Sequence, residues 1–101
     1  MPFKVTPAAK NDIRNIGRYT QNEWGTKQRH SYLAGLNEKF KFLAANPLLN
    51  RERVEFLPPV RIHPHKNHLV IYLLEPSHIL IVRVLHKSMD IDDQLNEEDG
   101  I

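Results

Sequence analysis

Hydrophobic positions along this chain change period once, near residue 60. Before that point they recur three and four apart. Ala9, Ile13, Ile16, Thr20 and Trp24 form one stripe, and Leu33, Leu36, Phe40 and Leu43 form a second, which predicts two amphipathic helices. Thr6-Pro7 supplies an N-cap and a first-turn residue for the first helix, since proline lacks a donor that would go unused there. Gly25 stops that helix, Thr26 opens the next, and Asn46-Pro47 ends it. A link this short forces an antiparallel hairpin. Gly17 costs about 1 kcal/mol relative to alanine inside a helix, so a close approach by a neighbouring element is expected there. The same spacing assigns Trp24 to the core.

A short strand is predicted over residues 3–5. Residues 47–59 lack periodicity and read as an ordered surface connection. Beyond them the pattern alternates, predicting strands near 60–65, 68–75 and 78–86 with turns at Lys66-Asn67 and Pro76-Ser77. Asn67 is expected to take the left-handed conformation of a two-residue turn. The order is β-α-α-β-β-β, an α+β fold with the helical hairpin packed on one face of a small, mainly antiparallel sheet.

Those turns set a register. His65 pairs with His68, His63 with Val70, Arg61 with Tyr72, Tyr72 with Ile81, Leu74 with Ile79 and Val70 with Arg83. One face then carries Val60, Ile62, Pro64, Leu69, Ile71, Leu73, Leu80, Val82 and Val84, and its apolar character assigns it to the helices. The opposite, outer face gathers Arg61, His63, His65, His68, Tyr72 and Arg83 beside an apolar strip of Val70, Leu74, Ile79, Ile81 and Leu85. An uncovered strip of that kind implies a partner. His86 falls on the core side, where a buried, hydrogen-bonded histidine is expected.

Charge sharpens the picture. The last fourteen residues hold six acids and no base, which leaves 14 basic against 6 acidic groups over residues 1–87. A body that basic suits an anionic partner. Residues 1–90 are read as a single domain and 91–101 as an acidic, flexible tail. The chain has no cysteine, which excludes disulfides and thiolate metal sites. It has no apolar run long enough for a membrane span and no leader-like N-terminus, so a cytoplasmic protein is expected.

The chemistry-bearing residues concentrate in "VRIHPHKNHLVIY", residues 60–72. His63, His65 and His68 could in principle surround a metal, but no carboxylate supports them unless Glu75 or Glu55 swings in, and neither a metal nor a cofactor is expected. Arginines, a tyrosine and histidines could instead stabilise a phosphorane-like transition state in RNA cleavage. The plainer alternative is that Arg61 and Arg83 pair with carboxylates, of this chain or of a partner. There is no Gly-rich phosphate loop, no H-E-x-x-H and no nucleophile elbow.

Several short pieces, in order and at the expected distances, resemble a ParE-type toxin of the RelE/ParE superfamily. They are Trp24-Gly25, Tyr32-Leu33, Ala45-Asn46-Pro47, Val60-Arg61, "HLVIY" at 68–72, and Ile81 to His86 followed by Met89-Asp90. The chain departs from the family at Asn50-Arg51, where Gly-Arg is frequent, and at Lys66-Asn67, where a glycine is frequent. The resemblance implies the toxin of a type II toxin–antitoxin system, bound by a ParD-like antitoxin. It further implies an inhibitor that poisons DNA gyrase and is not itself an enzyme. A RelE-like alternative is a ribosome-dependent mRNA endoribonuclease using Arg61, Tyr72, Arg83 and His86, and a third is a non-toxic interaction module. The antitoxin or target is expected on the outer sheet face, at Arg61, His63, Val70, Tyr72, Leu74, Ile79, Ile81, Arg83 and Leu85. The histidine cluster is no feature of the family.

Overall fold

In a computed structural model of the chain, which describes residues 1–99, the elements run β1 (Phe3–Val5), α1 (Pro7–Trp24), α2 (Thr26–Ala45), β2 (Arg61–His65), β3 (His68–Leu74), β4 (Ile79–His86) and α3 (Ile91–Asp99). The sheet order is β1-β4-β3-β2, with β1 parallel to β4 and the other pairs antiparallel. The α+β class and the expected element order hold, with α3 added. No helix among the described residues is long and apolar enough to cross a membrane.

The helical hairpin is built as its residues dictate. Thr6 Oγ1 accepts from the Ala9 N–H at 3.1 Å, capping α1. Gly25 has φ 93° and serves two helices, its N–H reaching the Gln21 carbonyl and its carbonyl accepting from Arg29 N–H. That backbone region favours glycine. A Cβ on Gly17 would lie 3.1 Å from Arg29 Nε and 3.2 Å from Leu33 Cδ1, which is the close approach its presence in the stripe implied. At the β2–β3 turn the left-handed residue is Lys66, with φ 54°, and not Asn67.

β1 covers only Ile79–Ile81 of β4. Beyond it, side chains take over the strand's bonding: Thr6 Oγ1 donates to the Val82 carbonyl at 2.9 Å, and Asp12 Oδ2 accepts the Val84 N–H at 3.0 Å. An otherwise open sheet edge is thereby satisfied by the start of α1.

Two apolar layers flank the sheet, and their assignment reverses the expectation. Under the hairpin, Ile16, Leu36, Phe40 and Leu43 pack on Val70, Tyr72, Ile79, Ile81 and Val84. On the other face, Val60, Ile71 and Leu85 are buried with Phe56, Ile62, Leu73, Val82, Ile91 and Leu95 around them. Val70, Tyr72, Ile79 and Ile81, grouped as an outer face, therefore lie beneath the helices, while Val84 lies there as expected and Leu85 faces away from them as expected. The apolar set of Ile62, Ile71 and Leu73 lies on the reverse face, covered in part by Phe56 of the connection and by α3. Apolar character could not discriminate the faces because both are covered. Tyr72, the most polar member of the helix-side set, has a satisfied hydroxyl.

A bulge changes β4 as well. Ile71 pairs with Arg83 but Tyr72 with Ile81, so Val82 is an extra residue and the remaining pairs become Val70–Val84, Leu69–Leu85 and His68–His86. Val84 consequently pairs with Val70, where Arg83 was expected, and Leu85 pairs with Leu69 on the face away from the helices. Residues 91–99, expected as part of a flexible tail, form α3, whose first N–H groups include Asp93 N bonded to Asp90 Oδ1 at 3.3 Å. Ile91 and Leu95, four residues apart, face the sheet. Gly100 and Ile101, the end of that expected tail, lie outside the described residues.

Candidate functional site

The residues expected to form a partner-binding outer face do not form one. Val70, Tyr72, Ile79 and Ile81 are wholly buried under the hairpin, and Leu85 is buried on the reverse face. Leu74 alone of the apolar strip is exposed, at the end of β3.

Tyr72, His63 and Arg61 converge on Asn50, a residue noted in the sequence only as a departure from the family's glycine. Asn50 Nδ2 donates to the Tyr72 hydroxyl at 3.1 Å, and that hydroxyl donates to the Pro47 carbonyl at 3.3 Å. The Asn50 amide also contacts His63 Nδ1, at 3.0 Å from Nδ2 and 3.1 Å from Oδ1. Arg61 Nη1 donates to the Asn50 carbonyl, while Arg61 Nε is buried without a partner. This network ties the α2–β2 connection to the sheet. The signal that could have found it is the departure from the family's glycine at position 50, since a side chain placed there must have something to bind.

Arg83 is held at the opposite edge. Its Nε and Nη2 donate to the two Asp12 carboxylate oxygens at 2.7 and 3.0 Å, and it also reaches the Gln94 carbonyl and side chain at 3.5 Å. The carboxylate pairing expected as the plainer alternative holds for Arg83; Arg61 instead meets a backbone carbonyl. His86, expected to be buried, is exposed at the end of β4, where its Nδ1 bonds Ser88. Of the residues of the RelE-like alternative, Arg61 and Tyr72 thus meet at Asn50, while Arg83 is held by Asp12 and His86 by Ser88.

The three clustered histidines also go to separate partners. His63 joins Asn50. His65 is buried edge-on to the Tyr32 ring, centroids 5.8 Å apart, with Nε2 unpartnered. His68 Nδ1 meets the Tyr32 hydroxyl at 2.5 Å, and its ring lies 5.5 Å from that of His86.

Burial, then the charge of Lys39, lowers the pKa of His63, and burial with Lys39, Lys66 and His63 lowers that of His65. Burial, reinforced by His86 and His65, depresses His68 to about 4. Burial raises the Tyr32 phenol. All three imidazoles are therefore neutral in the fold at pH 7, and each binds its proton more readily once unfolded. Their contribution to stability is complete above about pH 6.5 and is lost as the pH falls toward 4. The melting temperature is expected to fall between pH 7 and pH 4. His68→Gln should flatten that slope by about 1–2 kcal/mol once the half-exposure of the ring is allowed for. Thermal melts of both proteins across that pH range check it, and parallel curves would remove His68 from the account.

The exposed apolar surface lies elsewhere. Leu48, Leu49, Val54 and Leu57 stand out from the connection between α2 and β2, beside Phe42 at the end of α2. Trp24 and Tyr19 project from α1, 71% and 64% exposed, which corrects the expectation of a core tryptophan. Trp24 continues the helical spacing of the buried stripe but occupies the last position of α1, where little of the sheet remains to cover it. Both aromatics border a cleft of about 580 Å³ that reaches Tyr32, Lys66, His68 and His86.

Comparison with known proteins agrees with this architecture. The family described as "ParE toxin of type II toxin-antitoxin system, parDE" matches residues 3–91. Toxin ParE of Escherichia coli is 35% identical over 96 residues, covering 92% of this chain and 91% of its own. Toxin ParE1 of Mycobacterium tuberculosis is 32% identical over 94 residues, covering 92% and 96%. Among solved structures, one described as the chromosomal ParDE TA system from P. aeruginosa superposes with a TM-score of 0.71 at 21% identity. It covers 85% of this chain and 95% of that one, and it supports the fold. A match over nearly the whole folded body, with two relatives above 30% identity, places this chain in the ParE family, the toxins of type II toxin–antitoxin systems.

Proposed function

We propose that this toxin is held inactive by a ParD-like antitoxin and, when released, inhibits DNA gyrase in the cytoplasm without itself being an enzyme. The observation that carries gyrase over ribosome-dependent cleavage is the state of the polar residues that cleavage would use. Arg61 and Tyr72 are engaged with Asn50 and Pro47 inside the fold, and Arg83 with Asp12. A general acid or base must reach its substrate within hydrogen-bond distance. Groups committed to internal bonds at opposite edges of the sheet do not supply that.

The antitoxin surface is moved accordingly. The large apolar side chains of the connection, Leu48, Leu49, Val54 and Leu57, stand near Arg51 in sequence and are exposed. Anchors of that type suit an acidic amphipathic segment, whose apolar face they would bury while the arginine meets its charge.

Purified gyrase in a supercoiling assay, run beside a ribosome-dependent mRNA cleavage assay, tests the activity. Inhibition with trapped, cleaved DNA is expected, and the cognate antitoxin should abolish it. A cut message with gyrase unaffected would replace this reading by the endoribonuclease. No activity in either assay would favour the interaction module.

A further inference from the structure

We propose that the cleft between α1, the β2–β3 turn and the end of β4 binds a nucleotide unit. Its base would stack on Trp24 or Tyr19, and its phosphate would meet Lys66, His68 and His86.

The donors follow from the bonds these histidines already make. Ser88 N–H donates to His86 Nδ1 at 3.1 Å, so that nitrogen carries a lone pair and the ring proton is on Nε2. Between Tyr32 and His68, the phenol is the better donor and the imidazole nitrogen the better acceptor. We therefore assign the phenolic proton to the bond with His68 Nδ1, which puts the His68 proton on Nε2 as well. Two Nε2–H donors then stand on paired strands, with ring centroids 5.5 Å apart. Lys66 joins them from the turn, its Nζ 5.3 Å from the centre of the Tyr32 ring. All of them border the same cleft, no carboxylate among the described residues lines it, and Asp12, which borders an adjoining pocket with His68 and His86, is committed to Arg83. Donors without a counter-charge, in a body carrying 14 basic against 6 acidic groups over residues 1–87, select an anion.

The aromatic side specifies the rest of the ligand. Trp24 and Tyr19 are the two most exposed aromatic side chains among the described residues, and both open on this cleft. A π face beside a cluster of anion donors matches a base attached to a phosphate, and neither half alone uses both sets. The volume of about 580 Å³ accommodates one such unit. A single strand of nucleic acid and a free nucleotide present this same chemistry. This cleft is separate from the α2–β2 connection, and its chemistry is independent of which target the toxin has.

The full chain would be titrated with fluorescein-labelled decathymidylate, followed by anisotropy, and with ATP and inorganic phosphate, followed by isothermal titration calorimetry and, where Trp24 is present, by emission of that sole tryptophan. Decathymidylate or ATP is expected to bind, with quenching of Trp24 by ATP if the free nucleotide is a ligand. Tighter binding of the oligonucleotide would identify a strand as the ligand, and equal or tighter binding of ATP a free nucleotide. Trp24→Ala and Lys66→Gln should each weaken binding about ten-fold, and both side chains are exposed enough to leave the fold intact. Circular dichroism melts verify that. Failure of both nucleotide probes, inorganic phosphate competing as well as ATP, or full affinity in Trp24→Ala would each overturn the proposal.

Discussion

Asp12→Ala is expected to lower the melting temperature by roughly 12–20 °C, corresponding to about 3 kcal/mol in a domain of this size. The carboxylate does two things at once. One oxygen takes both the Arg83 Nε–H and the Val84 N–H, and the other takes Arg83 Nη2. The pair is largely dry, with 13% and 12% of the two side chains exposed. Removing the carboxylate takes from the guanidinium its two-pronged acceptor, leaving it the weaker contacts to Gln94 among others, and leaves a β4 amide on the sheet edge without its acceptor. The other ion pairs give the contrast. Lys41–Glu38 is exposed and Arg53–Glu55 partly so, and breaking either should move the transition by no more than about 2 °C. Asp12→Asn should fall between, because its amide oxygen can still accept while its NH2 replaces the second acceptor and the charge is lost. Circular dichroism melts of the two Asp12 variants and of variants breaking each of the other two pairs decide this. A shift below about 3 °C for Asp12→Ala would mean that the α1–β4 junction is held by apolar packing alone.

The same junction shows what the sequence could and could not disclose. The period change near residue 60 and the two short turns were enough for the element order and most of the strand register, including Arg61–Tyr72 and Tyr72–Ile81. They could not reveal the bulge at Val82, because nothing in Ile-Val-Arg-Val marks an extra residue. That bulge alone sends Arg83 to Asp12 and Leu85 to the reverse face. Asp12 has no local partner in sequence, and its role depends on β1 ending at Val5. α3 was hidden by its composition, since five acids in the stretch 91–99 outweigh Ile91 and Leu95 unless a surface awaits them. The candidate surface was less legible than the fold. Exposed residues such as Trp24 and Leu57 have no periodic signature separating them from core. Asn50 acts through contacts 11 to 22 positions away.

Val70→Asp is expected to abolish folding, whereas Leu73→Asp should yield a folded protein. Both positions lie on β3 three residues apart, and both carry an aliphatic side chain. Val70 is fully buried between the sheet and the helical hairpin, beside Tyr72 and Val84. A carboxylate there is deprived of water and of any cation, which costs more than about 4 kcal/mol against a total stability of roughly 5–15 kcal/mol. Leu73 is half-buried on the reverse face, where the new carboxylate can turn to solvent at a cost of about 1–2 kcal/mol. Far-UV circular dichroism and urea titration of both variants read the difference as loss or retention of a cooperative transition. The opposite outcome, a folded Val70→Asp and an unfolded Leu73→Asp, would put the apolar set of Ile62, Ile71 and Leu73 under the helices. The functional consequence follows from the same comparison. If Val70 is core, then Tyr72, Ile79 and Ile81 beside it cannot meet antitoxin or target without unpacking the hairpin. Recognition is then left to side chains the fold already exposes: the leucines of the α2–β2 connection and the aromatic cleft at the end of α1.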